Sequence, residues 1–80
     1  MKIKVLFFAQ LREIFGPSRP MDVREDSTIE EVVNLLAVES GRLFSKKTSL
    51  VYAVNENFET AEKRLKDRDE LALMTPVSGG

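Results

Sequence analysis

Residues 27–41, STIEEVVNLLAVESG, carry the strongest helical pattern in the chain. Their apolar side chains recur every three or four residues, which places them on one face of a helix. Ser27 and Glu30 fit a capping box, in which the serine hydroxyl accepts the Glu30 N–H and the glutamate carboxylate reaches back. Gly41 is a typical helix stop. The stretch therefore predicts one amphipathic helix that begins at Ser27 and covers an apolar surface.

Segments with strand character lie on both sides of this helix. Before it, residues 2–8 are rich in Ile, Val and Phe, and residues 20–24 are long enough for a second, paired strand. After it, we predict strands at residues 50–54 and 70–75 and a short strand or bridge at 58–61. The predicted connections are one or two helical turns at 9–15, a loop at 43–48, a turn at 55–57 and a solvated polar segment at 63–69.

This order of elements predicts the fold class. A single helix has to cover one face of a small mixed sheet. One crossover between the two halves then lets the first and last strands lie side by side and run parallel. We therefore expect an α+β protein of the β-grasp, ubiquitin-like kind. Its domain would cover residues 1–75, followed by a flexible diglycine tail at 76–80.

Composition limits the chemistry that the side chains can perform. The 80 residues include no cysteine and no histidine, so thiol nucleophiles, thiolate metal sites and the usual neutral-pH base are missing. We expect no metal site and no autonomous active site. Twelve basic residues against thirteen acidic ones leave no charge footprint for nucleic acid. The apolar run at residues 5–9 is too short to span a membrane, so we expect a cytoplasmic protein.

Alternation along the strands predicts which side chains avoid the helix. If Val5 and Phe7 face the helix, their neighbours face away, and the same holds around Leu71 and Leu73. The far face of the sheet would then carry Leu6, Phe8, Ala72 and Met74, with Phe58 as a further candidate. This face is either a docking surface for a partner or a set of scattered exposed apolar side chains.

The sequence ends in a tail, PVSGG, whose last two residues are Gly79 and Gly80. Glycine has no Cβ, so its backbone can pass through a narrow channel and approach another active site closely. Five extended residues reach about 17 Å from the domain. The tail residues Pro76, Val77, Ser78 and Gly79 would therefore carry the Gly80 carboxyl into a partner. A carboxylate must first be activated, typically as an acyl-adenylate.

Three segments of the chain resemble the MoaD family, the small subunits of molybdopterin synthase. They are residues 5–13 (VLFFAQLRE), 53–55 (AVN) and 65–80 (LKDRDELALMTPVSGG). The resemblance spans essentially the whole chain, and the combination of both ends is specific. Arg68 stands where the family usually has glycine and is expected to need a left-handed or rearranged turn. Thr75 stands where the family usually has proline, and neither change touches the diglycine.

The resemblance implies a sulfur carrier that binds no cofactor permanently. An E1-like, MoeB-like partner would adenylate Gly80 with ATP, and a sulfur donor would convert the adenylate to a thiocarboxylate. The tail would then enter a large, MoaE-like subunit and pass its sulfur to cyclic pyranopterin monophosphate for the molybdenum cofactor. Two carriers and two large subunits would form a heterotetramer. The positions that match the family's apolar partner-binding residues are Phe8, Phe58 and Met74.

Three alternative functions stay open at this point. A carrier for thiazole synthesis or tRNA thiolation would share the fold and tail, although the match at the N-terminus argues against it. A ubiquitin-like modifier that forms isopeptide bonds with lysines would need the same activation of Gly80. A simple interaction domain would carry the diglycine by chance.

Overall fold

The computed structural model describes residues 1–41 and 49–76. In chain order the elements are β1 (Lys2–Phe7), α1 (Gln10–Phe15), β2 (Ser18–Asp22), α2 (Ile29–Ser40), β3 (Val51–Val54), β4 (Asn57–Glu59) and β5 (Glu70–Met74). The strands form one mixed sheet in the order β2-β1-β5-β3-β4. β1 and β5 are parallel neighbours, and the other pairs are antiparallel. The predicted α+β, β-grasp arrangement is confirmed.

The core lies between α2 and one face of the sheet, which we call the inner face. The helix contributes apolar residues at helical spacing, and β1 and β5 contribute every second residue, as the alternation predicted. The buried members from these three elements are Ile29, Val32, Val33, Leu36, Ile3, Val5, Phe7, Leu71 and Leu73. The single main helix therefore covers one face of the sheet.

The predicted start of α2 is wrong by one residue. Thr28 is the N-cap, and its hydroxyl accepts the Glu31 N–H at 3.3 Å. Ser27 is buried, and its hydroxyl donates to the Arg24 carbonyl at 2.7 Å. The Ser27 carbonyl accepts the Leu65 N–H at 2.8 Å, a tertiary hydrogen bond that holds Ser27 outside the helix. The predicted end at Gly41 is confirmed, with φ at 67°.

The segment predicted to be a solvated connection at 63–69 is largely exposed, as predicted, but one residue anchors it in the core. Leu65 is 1% exposed and belongs to the core cluster. The chain just before it completes the N-terminus of α2: the carbonyls of Ala61 and Lys63 accept the N–H groups of Glu30 and Ile29 at 3.0 and 3.1 Å. The first N–H groups of a helix have no partner within it. This segment therefore supplies partners that the helix lacks.

The remaining boundaries differ from the predictions in smaller ways. β2 covers Ser18–Asp22 instead of residues 20–24, and it tolerates Pro20 because an edge strand has one unpaired side. β4 is three residues long. The turn predicted at residues 55–57 is confirmed at Asn55 and Glu56. Arg68 adopts φ 71°, the left-handed turn expected of it. The predicted loop at 43–48 lies outside the described residues.

Candidate functional site

A row of apolar residues crosses the face of the sheet opposite α2, which we call the outer face. Strand register places one residue of each of four neighbouring strands in line. Partners in register point to the same side of a sheet. The row consists of Leu6, Ala72, Ala53 and Phe58.

A second, parallel set of apolar residues lies nearer the C-terminal end of β5. Met74 pairs with Val51, two residues along from Ala72 and Ala53. Phe8 follows Leu6 by two positions and continues its side of β1. Phe8 is 44% exposed and Phe58 is 78% exposed. Large apolar side chains that are exposed and contiguous are typical of a docking surface.

A tight corner fixes the backbone of Phe8 while its side chain stays exposed. The Leu73 carbonyl accepts the Phe8 N–H, and the Phe8 carbonyl accepts the Leu11 N–H, both at 3.2 Å. Between them Ala9 has φ 53° and ψ −129°, a conformation that is strained for a residue with a Cβ. Burial of Leu11, which is 2% exposed in the core, requires the chain to turn at Ala9 and so maintains this strained conformation. The corner ties Phe8 to the last strand.

The C-terminal tail starts at the same end of the outer face. β5 ends at Met74, Thr75 is half-buried and Pro76 is exposed. The predicted tail residues Val77, Ser78, Gly79 and Gly80 lie outside the described residues. The structure thus places Phe8 and Met74 beside the point where the tail begins, and Phe58 farther across the same face. Their binding role stays a prediction, as does the domain boundary at residue 75.

Sequence reasoning missed two members of the outer face, Val51 and Ala53. Both lie on β3, whose alternation puts Tyr52 and Val54 on the inner face. The alternation along β3 separates its residues into two faces, but the strand is only four residues long and all four residues are apolar. Strands of that kind do not show which face is buried.

The described side chains offer no metal site. No group of three or more acidic residues is placed to hold an ion within residues 1–41 and 49–76.

Burial raises the pKa of Tyr52, and the nearby carboxylates of Glu30 and Glu62 raise it further. Tyr52 is the register partner of Leu73 and so lies on the inner face, away from the apolar row. In the same described ranges no helix is long and apolar enough to cross a membrane.

The fold and the exposed outer face at the root of a C-terminal tail define a small ubiquitin-like β-grasp protein. The sequence pattern of the ThiS family matches residues 5–80. The chain is 38% identical to the molybdopterin synthase sulfur carrier subunit of Escherichia coli, over 98% of this chain and 99% of that protein. It is 35% identical to the subunit of that name from Arabidopsis thaliana, over 100% of this chain and 84% of that protein. The chain therefore belongs to the ThiS family and, within it, to the molybdopterin synthase sulfur carrier subunits.

Solved structures agree on the fold. A putative molybdopterin converting factor subunit 1 from Pyrococcus furiosus superposes with a TM-score of 0.80 at 20% identity, over 96% of this chain and 99% of that one. The subunit 1 and 2 complex of the molybdopterin-converting factor from Helicobacter pylori contains a chain that matches with a TM-score of 0.67 at 23% identity, over the full length of both. SAMP1 from Haloferax volcanii matches with a TM-score of 0.78 at 26% identity, again over both full lengths.

Proposed function

We propose that this sulfur carrier works through the carboxyl group of Gly80. An E1-like enzyme forms the Gly80 acyl-adenylate from ATP and releases pyrophosphate. A sulfur donor then supplies sulfur at the oxidation level of sulfide, which displaces AMP and leaves a thiocarboxylate. The large synthase subunit holds this end beside cyclic pyranopterin monophosphate, which receives the sulfur. The observation that supports the proposal is an exposed apolar face whose edge lies at the root of a tail ending in Gly79-Gly80.

The composition of the chain indicates which chemical steps the carrier performs and which its partners perform. The chain has no cysteine to hold sulfur as a persulfide and no histidine to move protons near neutral pH. Its terminal carboxyl carries the sulfur in place of a thiol, and the partners supply ATP binding, acid–base groups and the pterin site. The expected absence of an active site in this chain and its expected cytoplasmic location stay predictions.

Docking of the large subunit uses the outer face. Phe58 and Phe8 are the large apolar side chains most available for burial there. Burying an aromatic side chain at an interface is among the strongest contributions to affinity. The Helicobacter pylori protein was solved as a complex of the two subunits, which supports a partner of this kind for a chain with the same fold. Two carriers on two large subunits would give the heterotetramer.

The test is intact-mass spectrometry after co-expression with the E1-like enzyme and a sulfur source. We expect a mass gain equal to the replacement of one oxygen by sulfur, and no gain in a chain that lacks Gly80. The deletion is a matched control because it changes none of the described residues and only shortens the tail, which moves the terminal carboxyl back by one residue to Gly79. An unchanged mass beside an enzyme that thiolates another carrier in the same assay would contradict the proposal.

A ubiquitin-like modifier is the second candidate, because the fold matches SAMP1, a small archaeal modifier protein, at 26% identity. The same adenylate would then be attacked by a lysine amine, and AMP would leave as an isopeptide bond forms. Peptide mapping distinguishes the two functions. Lysines of many proteins that carry the C-terminal peptide of this chain, joined through Gly80, would favour the modifier, whereas a thiocarboxylate without such conjugates favours the carrier. Sulfur carriage for thiazole or tRNA would instead give the thiocarboxylate but no transfer to the pterin precursor.

A further inference from the structure

Arg68 occupies a backbone position that suits glycine better. Its φ of 71° is fixed by β1, because the Lys2 carbonyl accepts the Arg68 N–H at 2.7 Å. A side chain at this φ is strained, and glycine would relieve the strain. The guanidinium contributes little to the fold in return: the Arg68 side chain is 92% exposed, and its Nε lies 3.9 Å from an oxygen of Asp67, whose side chain is 61% exposed. Exposed pairs of this kind add almost nothing to stability.

Arg68 lines a groove at the end of the outer face remote from the tail. The groove has a volume of about 440 Å³, and two other cations, Lys2 and Lys4, line it together with Pro20 and Asp67. Lys2 and Lys4 alternate with the buried Ile3 and Val5, so both point to the outer face.

The lining of the groove carries an excess of positive charge. Its three cations face one carboxylate, Asp67, whose Oδ1 already accepts the Lys2 N–H at 2.8 Å. Two further carboxylates flank the groove: Glu70 pairs with Lys4 and Asp22 pairs with Lys2 in the strand register. Neither forms an ion pair with these lysines among the described residues. The lysine ammonium groups are therefore available to a partner, and the guanidinium is held only by its long, exposed contact with Asp67.

The groove is continuous with the apolar part of the outer face. Lys4 precedes Leu6 by two residues on the same side of β1, and Glu70 precedes Ala72 in the same way on β5. A protein that covers the apolar row is therefore brought next to the cations. Charged groups at the edge of an interface steer association and select partners more than they add affinity.

We propose that this cationic groove receives an acidic segment, rich in Asp and Glu, of the large synthase subunit docked on the outer face. The inference rests on the proposed function, because it takes that subunit to be the partner. Arg68 is the specificity-determining contact. Its backbone is strained, and within the fold its side chain makes only the long, exposed contact with Asp67. Arginine suits this role since its planar fork can bind a carboxylate through two hydrogen bonds.

The test compares Arg68→Gly with Glu56→Gly. Glu56 has the same φ of 71° and is exposed in the β3–β4 turn, away from the groove, so both changes relieve the same kind of strain. We expect both variants to melt at the parent temperature or up to about 5 °C above it. Calorimetric titration with the large subunit should show binding about three- to tenfold weaker for Arg68→Gly alone. Added salt should weaken the parent more than this variant.

Further variants separate the possible explanations. Arg68→Lys, which keeps the charge but loses the planar fork, should bind with an affinity between those of the parent and Arg68→Gly. Arg68→Gln, which keeps the strained backbone but has no charge, should bind as weakly as Arg68→Gly. Equal weakening by Arg68→Gly and Glu56→Gly would overturn the inference, because backbone freedom and not charge would then be responsible. Parent-like binding of Arg68→Gly beside weakened binding of Phe58→Ala would overturn it but leave the proposed docking intact. Parent-like binding of Phe58→Ala as well would reject the proposed docking face.

Discussion

Phe58 and Val38 are both exposed apolar side chains, but they lie on different surfaces. Phe58 is 78% exposed on the outer face, and Val38 is 83% exposed on the solvent side of α2. We expect Phe58→Ala to weaken binding of the large subunit by about tenfold or more, because a large aromatic side chain that becomes buried at an interface contributes strongly to affinity. Its melting temperature should stay close to that of the parent. Calorimetric titration and a thermal melt measure the two effects separately.

Val38→Ala is the matched control for this change. It also shortens an exposed apolar side chain, and α2 packs on the other face of the sheet. Its affinity for the large subunit should equal that of the parent. If Val38→Ala weakened binding as much as Phe58→Ala, docking would depend on surface hydrophobicity in general, and the outer face would not be the specific docking surface.

At the scale of elements, α2 depends on a segment that has no regular structure of its own. Leu65 is buried beneath it, and its N–H holds Ser27 outside the helix. We expect Leu65→Ala to lower the free energy of unfolding by about 2–4 kcal/mol, since it leaves a cavity in a small core. Leu35→Ala, at a position of α2 that is 53% exposed, should change it by less than about 0.5 kcal/mol. Urea denaturation measures both, and similar midpoints for the two variants would contradict the assigned role of Leu65.

These same elements show which parts of the fold the sequence predicts. The polar–apolar alternation in the first half of β1 and the helical spacing of α2 indicate their buried faces, because burial of one face imposes that periodicity. The last four residues of β5 are all apolar, so its sequence fixes the alternation of sides but not which side is buried. The start of α2 is harder to predict, since Ser27 and Thr28 are both good caps and a tertiary hydrogen bond from Leu65 decides between them. Leu65 itself is one apolar residue in a polar segment and has no periodic signal.

The candidate site is predictable to a similar degree. Alternation identifies Leu6, Ala72 and Met74, whereas Val51 and Ala53 become visible only once the register of β3 against β5 is known. The cationic groove is invisible in sequence, because Arg68 and Lys4 are brought together only by the parallel pairing of β1 with β5. Contacts between distant segments therefore account for what the sequence leaves out.

At the scale of the whole molecule, the docking face and the root of the tail belong to one rigid sheet. The Phe8 N–H is bonded to the Leu73 carbonyl, so the apolar surface and the end of β5 keep a fixed separation. The distance from the docked domain to the reacting carboxyl is then set by tail length alone. Insertion of Gly-Ser between Pro76 and Val77 would add up to about 7 Å to the reach of the tail.

We expect this insertion to leave affinity for the large subunit within about twofold of the parent, because no outer-face side chain changes. Sulfur transfer to the pterin precursor should fall by about a hundredfold, since a misplaced reacting group loses most of the advantage of proximity. Titration and single-turnover transfer from the preformed thiocarboxylate separate binding from chemistry. Gly-Ser inserted between Asn55 and Glu56, in the exposed β3–β4 turn, is the control and should transfer at the parent rate. Unchanged transfer by the tail insertion would mean that the terminal carboxyl finds its site by diffusion of a loose tail, and that the rigid link between docking face and tail root has no catalytic consequence.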